Sequence, residues 1–236
     1  TDANNAPHPR FRLWLSSSPH PKFPIAILQR GVKMTTEPPS GLRANLGVLY
    51  NSVTEAQYAR CGQQFAYKKL LFALAWFHAI LLERRKFKSL GFSVPYDFNQ
   101  SDFAICHDLI IVFLDEYPDQ TPWEAMRYLI SEANYGGRVT DDWDRRLVNS
   151  YIAQYFCPEA LTVTNFPLST LPEYFLPPDG PLDSQKDYVK TLPLTDLPEA
   201  FGQHRNAEIN SQISDTNEML KTVVSLQPKK AGGDGE

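Results

Sequence analysis

The sequence has little of what usually carries recognisable chemistry. Its three cysteines, Cys61, Cys106 and Cys157, stand far apart with no CxxC or Cys/His spacing. That disfavours a structural zinc site and a disulfide framework, and fits a reducing, intracellular setting. No GxxxxGK[ST] occurs, so no loop offers the clustered backbone N–H groups and the lysine that enclose phosphates; GxGxxG and GxSxG are missing as well. The one neighbouring Cys–His pair, Cys106–His107, points its side chains about 100° apart on a helix and makes a poor nucleophile–base dyad. The other histidines are scattered without metal spacing. No apolar run reaches the ~18–20 residues of a membrane span, since "LLFALAWFHAILL" (70–82) is short and broken by His78. The polar start "TDANNAPHPR" lacks the apolar core of a signal peptide. Bases do not outnumber acids: 23 against 27 leave a net charge of -4, which disfavours a broad nucleic-acid-binding face. No catalytic, cofactor-binding or metal-binding residue is therefore assigned.

A 42% share of hydrophobic residues over 236 positions allows a real core, in one large domain or two small ones. Nineteen prolines cluster at 19–39 and 158–198, marking joints rather than element interiors. After a polar lead-in, "FRLWLSSS" (11–18) reads as a strand buried on both sides, "FPIAILQRG" (23–31) as a short helical turn, and "VKMTTE" (32–37) as a second strand. Two strands make no stable sheet alone, so their partners are expected outside this sequence, in a longer parent.

From 42 to 157 the period becomes helical. "LRANLGVLYNSV" places Leu42, Leu46, Leu49 and Tyr50 on one stripe. The stretch 63–85 carries Phe65, Leu70, Leu71, Leu74, Phe77, Leu81 and Leu82 around so much of its girth that it should be central, with His78 a hydrogen-bonded core residue and "ERRKFK" (83–88) a solvated cationic end. An aromatic loop (91–100) precedes a helix that Ser101 can cap. In "TPWEAMRYLISEANYGG" (121–137), Thr121 reads as N-cap, Pro122 as the first helical residue, Glu124 as the capping-box partner and Gly136 as a left-handed C-cap. Thr140 then caps a helix over 140–156. Four or five short-linked helices thus predict a compact bundle. The proline-rich run 158–182 should be ordered but irregular, wrapped on by Phe166, Tyr174 and Phe175. Short helices at 183–191 and 196–201 and a longer one at 206–227 follow.

The densest stretch is "NYGGRVTDDWDRR" (134–146). Asp141, Asp142 and Asp144 could suggest a cation site, and Arg145 and Arg146 could bind a phosphate or pair with the acids of the preceding turn. The simpler reading is an elbow. Gly136 and Gly137 end one helix, Thr140 with Asp141 and Asp142 starts the next where acids favour its N-terminus, Trp143 plugs the bundle, and Arg138 and Arg145 lock the turn.

Several long motifs have a family likeness. "FRLWLSSSPHPKFPIAILQRGVKMTTEPPSGLRANL" (11–46) resembles the end of the sixth AAA+ module of dynein heavy chains. "KLLFALAWFHAILLERRKF" (69–87), "GFSVPYDFNQSD" (91–102), "EANYGGRVTDDWDRR" (132–146), "YFLPPDG" (174–180) and "LPEAFGQHRNAEI" (197–209) resemble the helical lid that follows it. The wording "MTTEPPSGLRANL" looks more like axonemal heavy chains than cytoplasmic ones.

The resemblance implies a mainly α fold: an AAA+ lid-type helical bundle preceded by the last two strands of an α/β AAA+ core. It divides the chain into 1–41, the end of the large subdomain; 42–203, the lid; and 204–236, a linker helix toward the C-terminal region. It implies a non-catalytic segment of a ring whose other modules hold ATP and Mg, in a minus-end-directed microtubule motor of the ciliary or flagellar axoneme. Partners would be the neighbouring AAA+ modules and the C-terminal region of the same chain, with microtubules and intermediate or light chains reached through the parent; no nucleic acid and no membrane are implied. Two alternatives stand beside it. One is a degenerate nucleotide site using Ser16–Ser18 with Arg138 or Arg145. The other is a docking module using the 91–100 loop or the 166–178 segment.

Overall fold

A computed structural model describes residues 8, 10–17, 22–34 and 38–226. The chain divides into two compact units, Thr1–Pro38 and Pro39–Glu236. In the first, α1 spans Ile25–Arg30 and closes with the Gly31 N–H on the Ile27 carbonyl. The expected strands are not formed among the described residues: 11–17 and 32–34 have no regular structure, while 18 and 35–37 lie outside those residues. A strand's N–H and C=O groups need a neighbouring strand, and Leu13, Trp14 and Val32 stand exposed.

The second unit is the helical bundle. α2 spans Leu42–Ser52 and buries Leu42, Leu46, Leu49 and Tyr50, the stripe its spacing predicts. α3 (Glu55–Tyr58) begins with a capping box, Thr54 accepting from the Gln57 amide while the Gln57 side chain accepts from Thr54 N–H. α4, Gln64–Arg84, is the axis, touching α2 and three later helices. Leu70 to Leu81 is buried throughout, although Phe65, expected inside, is 50% exposed. The segment Gln64–Leu90 is long and apolar enough to cross a membrane by composition, but 78% of its apolar window is buried inside the bundle, which makes it a core helix.

A 3-10 segment, Arg85–Leu90, leads to the aromatic loop and to α5, Gln100–Glu116. The cap of α5 is Asn99 rather than Ser101: its side chain accepts from the Ser101 and Asp102 amides, and Asp102 returns the bond to Asn99 N–H. The next helix is α only over α6, Trp123–Tyr128; it widens into a π-turn over Leu129–Tyr135 and tightens to 3-10 over Gly136–Arg138. Pro122 holds the N-cap position there, with no side-chain cap, so the expected Thr121–Glu124 box is not made. α7 spans Asp142–Tyr155 and α8 Pro158–Thr162.

The proline-rich run, expected to be irregular throughout, opens with α8 and is then ordered without helix from 163 to 181. Leu168 N–H reaches the Tyr174 carbonyl, Leu176 N–H reaches Phe166, and the Phe175 ring lies 5.0 Å from Tyr188. α9 (Leu182–Thr191), a 3-10 turn (Pro198–Phe201) and α10 (Asn206–Ser225) complete the unit.

Candidate functional site

The 134–146 stretch is an elbow whose parts differ from the sequence expectation. Gly136 is not left-handed: φ is −66° and ψ −22°. It is instead a point of close approach, where a Cβ would stand 2.4 Å from the Ser131 carbonyl oxygen. A Cβ on Gly137 would meet nothing within 4 Å among the described residues. The cap of α7 is Asp141, one residue after Thr140, because its carboxylate accepts from the Trp143 (2.9 Å) and Asp144 (3.1 Å) amides. Thr140 and Asp142 are exposed. Trp143 is 72% exposed rather than a plug, with the Arg146 guanidinium 5.0 Å above its ring.

The residue that turns inward is Asp144. Its carboxylate accepts from Ser93 N–H (3.0 and 2.9 Å), Val94 N–H (3.3 Å) and the Tyr96 hydroxyl (2.9 Å). A buried acid costs several kcal/mol unless it is satisfied in this way. Tyr96 closes the set by accepting from Asp141 N–H at 3.2 Å. The aromatic loop is thereby tied down, and Phe92, Tyr96 and Phe98 are buried. The docking surface expected at 91–100 therefore loses its aromatics to the core.

The other two arginines of the elbow make polar contacts. Arg138 donates to the Asp97 carbonyl and to Asp102 Oδ1, each at 3.0 Å. Arg145 donates to Glu132 Oε2 (3.0 Å) and to the Val139 carbonyl (2.8 Å). Hydrogen bonds from Asn149 and then Arg145 hold the Glu132 carboxyl below its ordinary range. The acids do not converge: among the described residues, no group of three or more His, Cys, Asp or Glu could hold a metal ion.

The π-turn sets the inner wall. Ser131 Oγ bonds back to the Arg127 carbonyl (2.7 Å), and Asn134 Nδ2 donates to the Asp102 carbonyl (2.7 Å) and toward Cys106 Sγ (2.9 Å). Tyr135 turns inward, its hydroxyl 2.8 Å from His78 Nδ1 and its ring edge-on to Phe77. His78 is thus the hydrogen-bonded core residue its setting predicts, and burial lowers its pKa to about 4. Cys106 and His107 are separately occupied. Burial pushes the Cys106 thiol up to about 12, and His107, also lowered by burial, meets the Tyr67 hydroxyl at 2.6 Å. A thiol so placed is a poor nucleophile.

Sequence reasoning missed a second group of charges. "ERRKFK" is a solvated end only in part: Lys86 and Lys88 are exposed, whereas Glu83 and Arg84 are buried. Arg84 is buried and donates to the Gly91 and Phe201 carbonyls and the Tyr151 hydroxyl. Arg85 pairs with Asp97, Lys86 with Glu83, and Lys88 with Asp215 and Glu218. The available signal was an acid–base pair, Glu83–Arg84, directly after the long apolar stretch 70–82.

The comparisons with known proteins bear on both groups. Residues 67–207 match the model of the dynein heavy chain AAA lid domain, and 1–35 match that of the dynein heavy chain region D6 P-loop domain.

The chain belongs to the dynein heavy chain family.

It is 60% identical over 229 residues to the dynein-1-beta heavy chain of the flagellar inner arm I1 complex of Chlamydomonas reinhardtii, a match covering 97% of this chain and 5% of that relative. It is 54% identical over 231 residues to the human dynein axonemal heavy chain 2, covering 96% and 5%, and 44% identical to the mouse dynein axonemal heavy chain 3, covering 96% and 6%. The chain thus spans about one twentieth of the length of these relatives. The elbow and Arg84 lie inside the lid match, whereas α10, apart from its first two residues, lies beyond it.

Proposed function

We propose that this chain is a non-catalytic structural segment of the motor ring of an axonemal dynein heavy chain. The whole heavy chain is, on this reading, an ATP-driven, minus-end-directed microtubule motor that powers ciliary or flagellar beating from the axonemal cytoskeleton. The observation that carries the reading is the 60% identity over 97% of the chain to a flagellar inner-arm heavy chain. Within the heavy chain, 1–41 ends the large subdomain of the sixth module, 42–203 forms its lid, and 204–236 leads toward the C-terminal region. ATP and Mg belong to other modules. The partners of this segment are neighbouring modules and the C-terminal region, with microtubules and the intermediate and light chains engaged elsewhere in the protein.

Two features support a structural role. Arg138 and Arg145, the cations that a degenerate nucleotide site would use, are bound to Asp102 and Glu132. Of the acids beside them, Asp141 and Asp144 are spent on amides. A lid built in this way transmits motion by moving as a rigid body. Arg138→Ala separates the readings. In the intact heavy chain it should leave nucleotide affinity unchanged, while lowering the melting temperature of the present chain by leaving the buried Asp102 without its cation. Altered nucleotide affinity with unchanged melting would favour a degenerate nucleotide site.

A further inference from the structure

One short stretch, 83–91, holds two places that are far apart in the sequence. The first is the start of α2. Gly41 sits at φ 96°, ψ 153°, a conformation open to glycine, and gives α2 no side-chain cap of its own. Its first amides are received by distant carboxylates: Gly41 N–H by Glu83 Oε1 at 2.8 Å and Leu42 N–H by Asp196 Oδ2 at 2.7 Å. Glu83 Oε1 also accepts from Asn45 Nδ2 (2.6 Å), and Lys86 Nζ links Glu83 to Ser40 Oγ. Glu83 is 2% exposed. An acid in the last turn of α4 opposes that helix's own dipole, so its position is explained by what it grips: the positive end of α2.

The second place is α10. Lys88 stands at φ 49°, ψ −127°, a region L-residues occupy only when their surroundings hold them there. Its ammonium reaches Ser214 Oγ (2.8 Å), Glu218 Oε1 (2.9 Å) and Asp215 Oδ1 (3.3 Å). Ser211 Oγ donates to the Lys86 carbonyl at 3.1 Å.

Between the two places the stretch is anchored. The Arg84 guanidinium donates from two nitrogens to the Gly91 carbonyl (3.2 and 3.1 Å) and from a third to Phe201 (2.7 Å). The backbone folds back so closely that a Cβ on Gly91 would lie 1.8 Å from the Arg84 carbonyl oxygen. Glu83, Lys86 and Asp196 also line a 280 Å³ cavity together with Glu208, Ser211 and Gln212 of α10. The grip on α2 and the first turns of α10 therefore share one space.

We propose that residues 83–91 form a rigid tie that couples the start of α2 to α10. A load or partner that shifts α10 then loosens or tightens the grip on Gly41 and Leu42, and the coupling runs equally in reverse. Exposed ion pairs contribute little individually; what makes this a tie is that the same anchored backbone carries both sets of contacts.

Hydrogen exchange on the full 236-residue chain tests it, with Lys88→Met acting at the α10 side and Glu83→Gln at the α2 side. Lys88→Met removes an exposed side chain and should leave the circular dichroism spectrum intact. It should raise exchange over 206–218 and also over 41–45, which Lys88 does not touch, each on the order of threefold or more. Glu83→Gln should move both stretches as well. Lys190→Met, which breaks the exposed pair with Asp187, should move neither. If Lys88→Met loosens α10 and leaves 41–45 unchanged, or changes neither stretch, the tie does not exist. Should Glu83→Gln prevent folding, the Lys88→Met result alone decides.

Discussion

α4 and α10 are nearly equal in length, 21 and 20 residues, and both repeat apolar side chains at three- and four-residue spacing. Their fates are opposite. In α4, 16 of the 21 residues are buried. In α10 only Ala207 is, and Ile209, Ile213, Leu220 and Val223 remain 54–58% exposed. The contrast separates two things that periodicity reports as one. A stripe at helical spacing says that a face is suited to being covered; it does not say whether the covering partner belongs to the same bundle. α4 finds neighbours on all sides within this chain. α10 is attached mainly through polar contacts at its flank.

The sharpest way to break the comparison is to remove volume from α4. Phe77→Ala deletes a fully buried ring packed edge-on against Tyr135, and should cost about 3–5 kcal/mol in a denaturant titration. A cost under about 1 kcal/mol would mean that α4 is not the closed core described above.

Acidity gives the next largest effect. His78 has a folded pKa of about 4, below its ordinary value of 6.5. Between those values the unfolded chain binds the extra proton, so stability rises with pH across the window. The contribution is full above about 6.5 and is lost as pH falls toward 4, roughly 3 kcal/mol at most. His107 shifts the same way. His78→Gln, which can still hydrogen-bond Tyr135, should flatten the dependence of melting temperature on pH between 4.5 and 7. An unchanged slope would place the proton elsewhere.

The elbow supplies a paired test between adjacent positions. Gly136→Ala drives a Cβ into the Ser131 carbonyl and should destabilise by about 1–3 kcal/mol. Gly137→Ala meets open space and should stay within about 0.5 kcal/mol. Equal effects would show that the crowding at Gly136 is not what shapes the turn. The smallest effect belongs to α10: Ile213→Asp, on its exposed stripe, should change stability by no more than about 0.5 kcal/mol. A loss approaching that of Phe77→Ala would show the stripe to be covered and dissolve the contrast.

The longer helices from 42 to 157 were legible because apolar spacing and breakers agree there; the single turn α3, Glu55–Tyr58, is too short for spacing to show. Their caps were less so. Thr140 stands beside Asp141, and Asn99 beside Ser101; which of two competent side chains meets the amides depends on the backbone angle at one residue, which composition does not reveal. Trp143 faces outward because α7 is registered by Asp144, Val148, Tyr151 and Tyr155. An acid took the inward position because two amides and a hydroxyl from the 91–100 loop await it, and those partners are 48 or more residues away in sequence. The π-turn over 129–135 left only a weak local sign: Ser131 bonds back to Arg127, four residues earlier, as serines in helices commonly do, and the Tyr135–His78 contact emerges only once the helices meet. In the candidate site, Arg138 and Arg145 were recognised as locking residues, whereas Arg84, Glu83 and Asp196 were not. Arg84 meets the Gly91 and Phe201 carbonyls and the Tyr151 hydroxyl, and Glu83 and Asp196 both meet the start of α2, all contacts that only the fold brings together.

The central claim is that this segment contributes structure and no nucleotide chemistry. Isothermal titration of the full chain with MgATP tests it most directly. The account predicts no saturable heat, and saturable binding at micromolar concentration would contradict it.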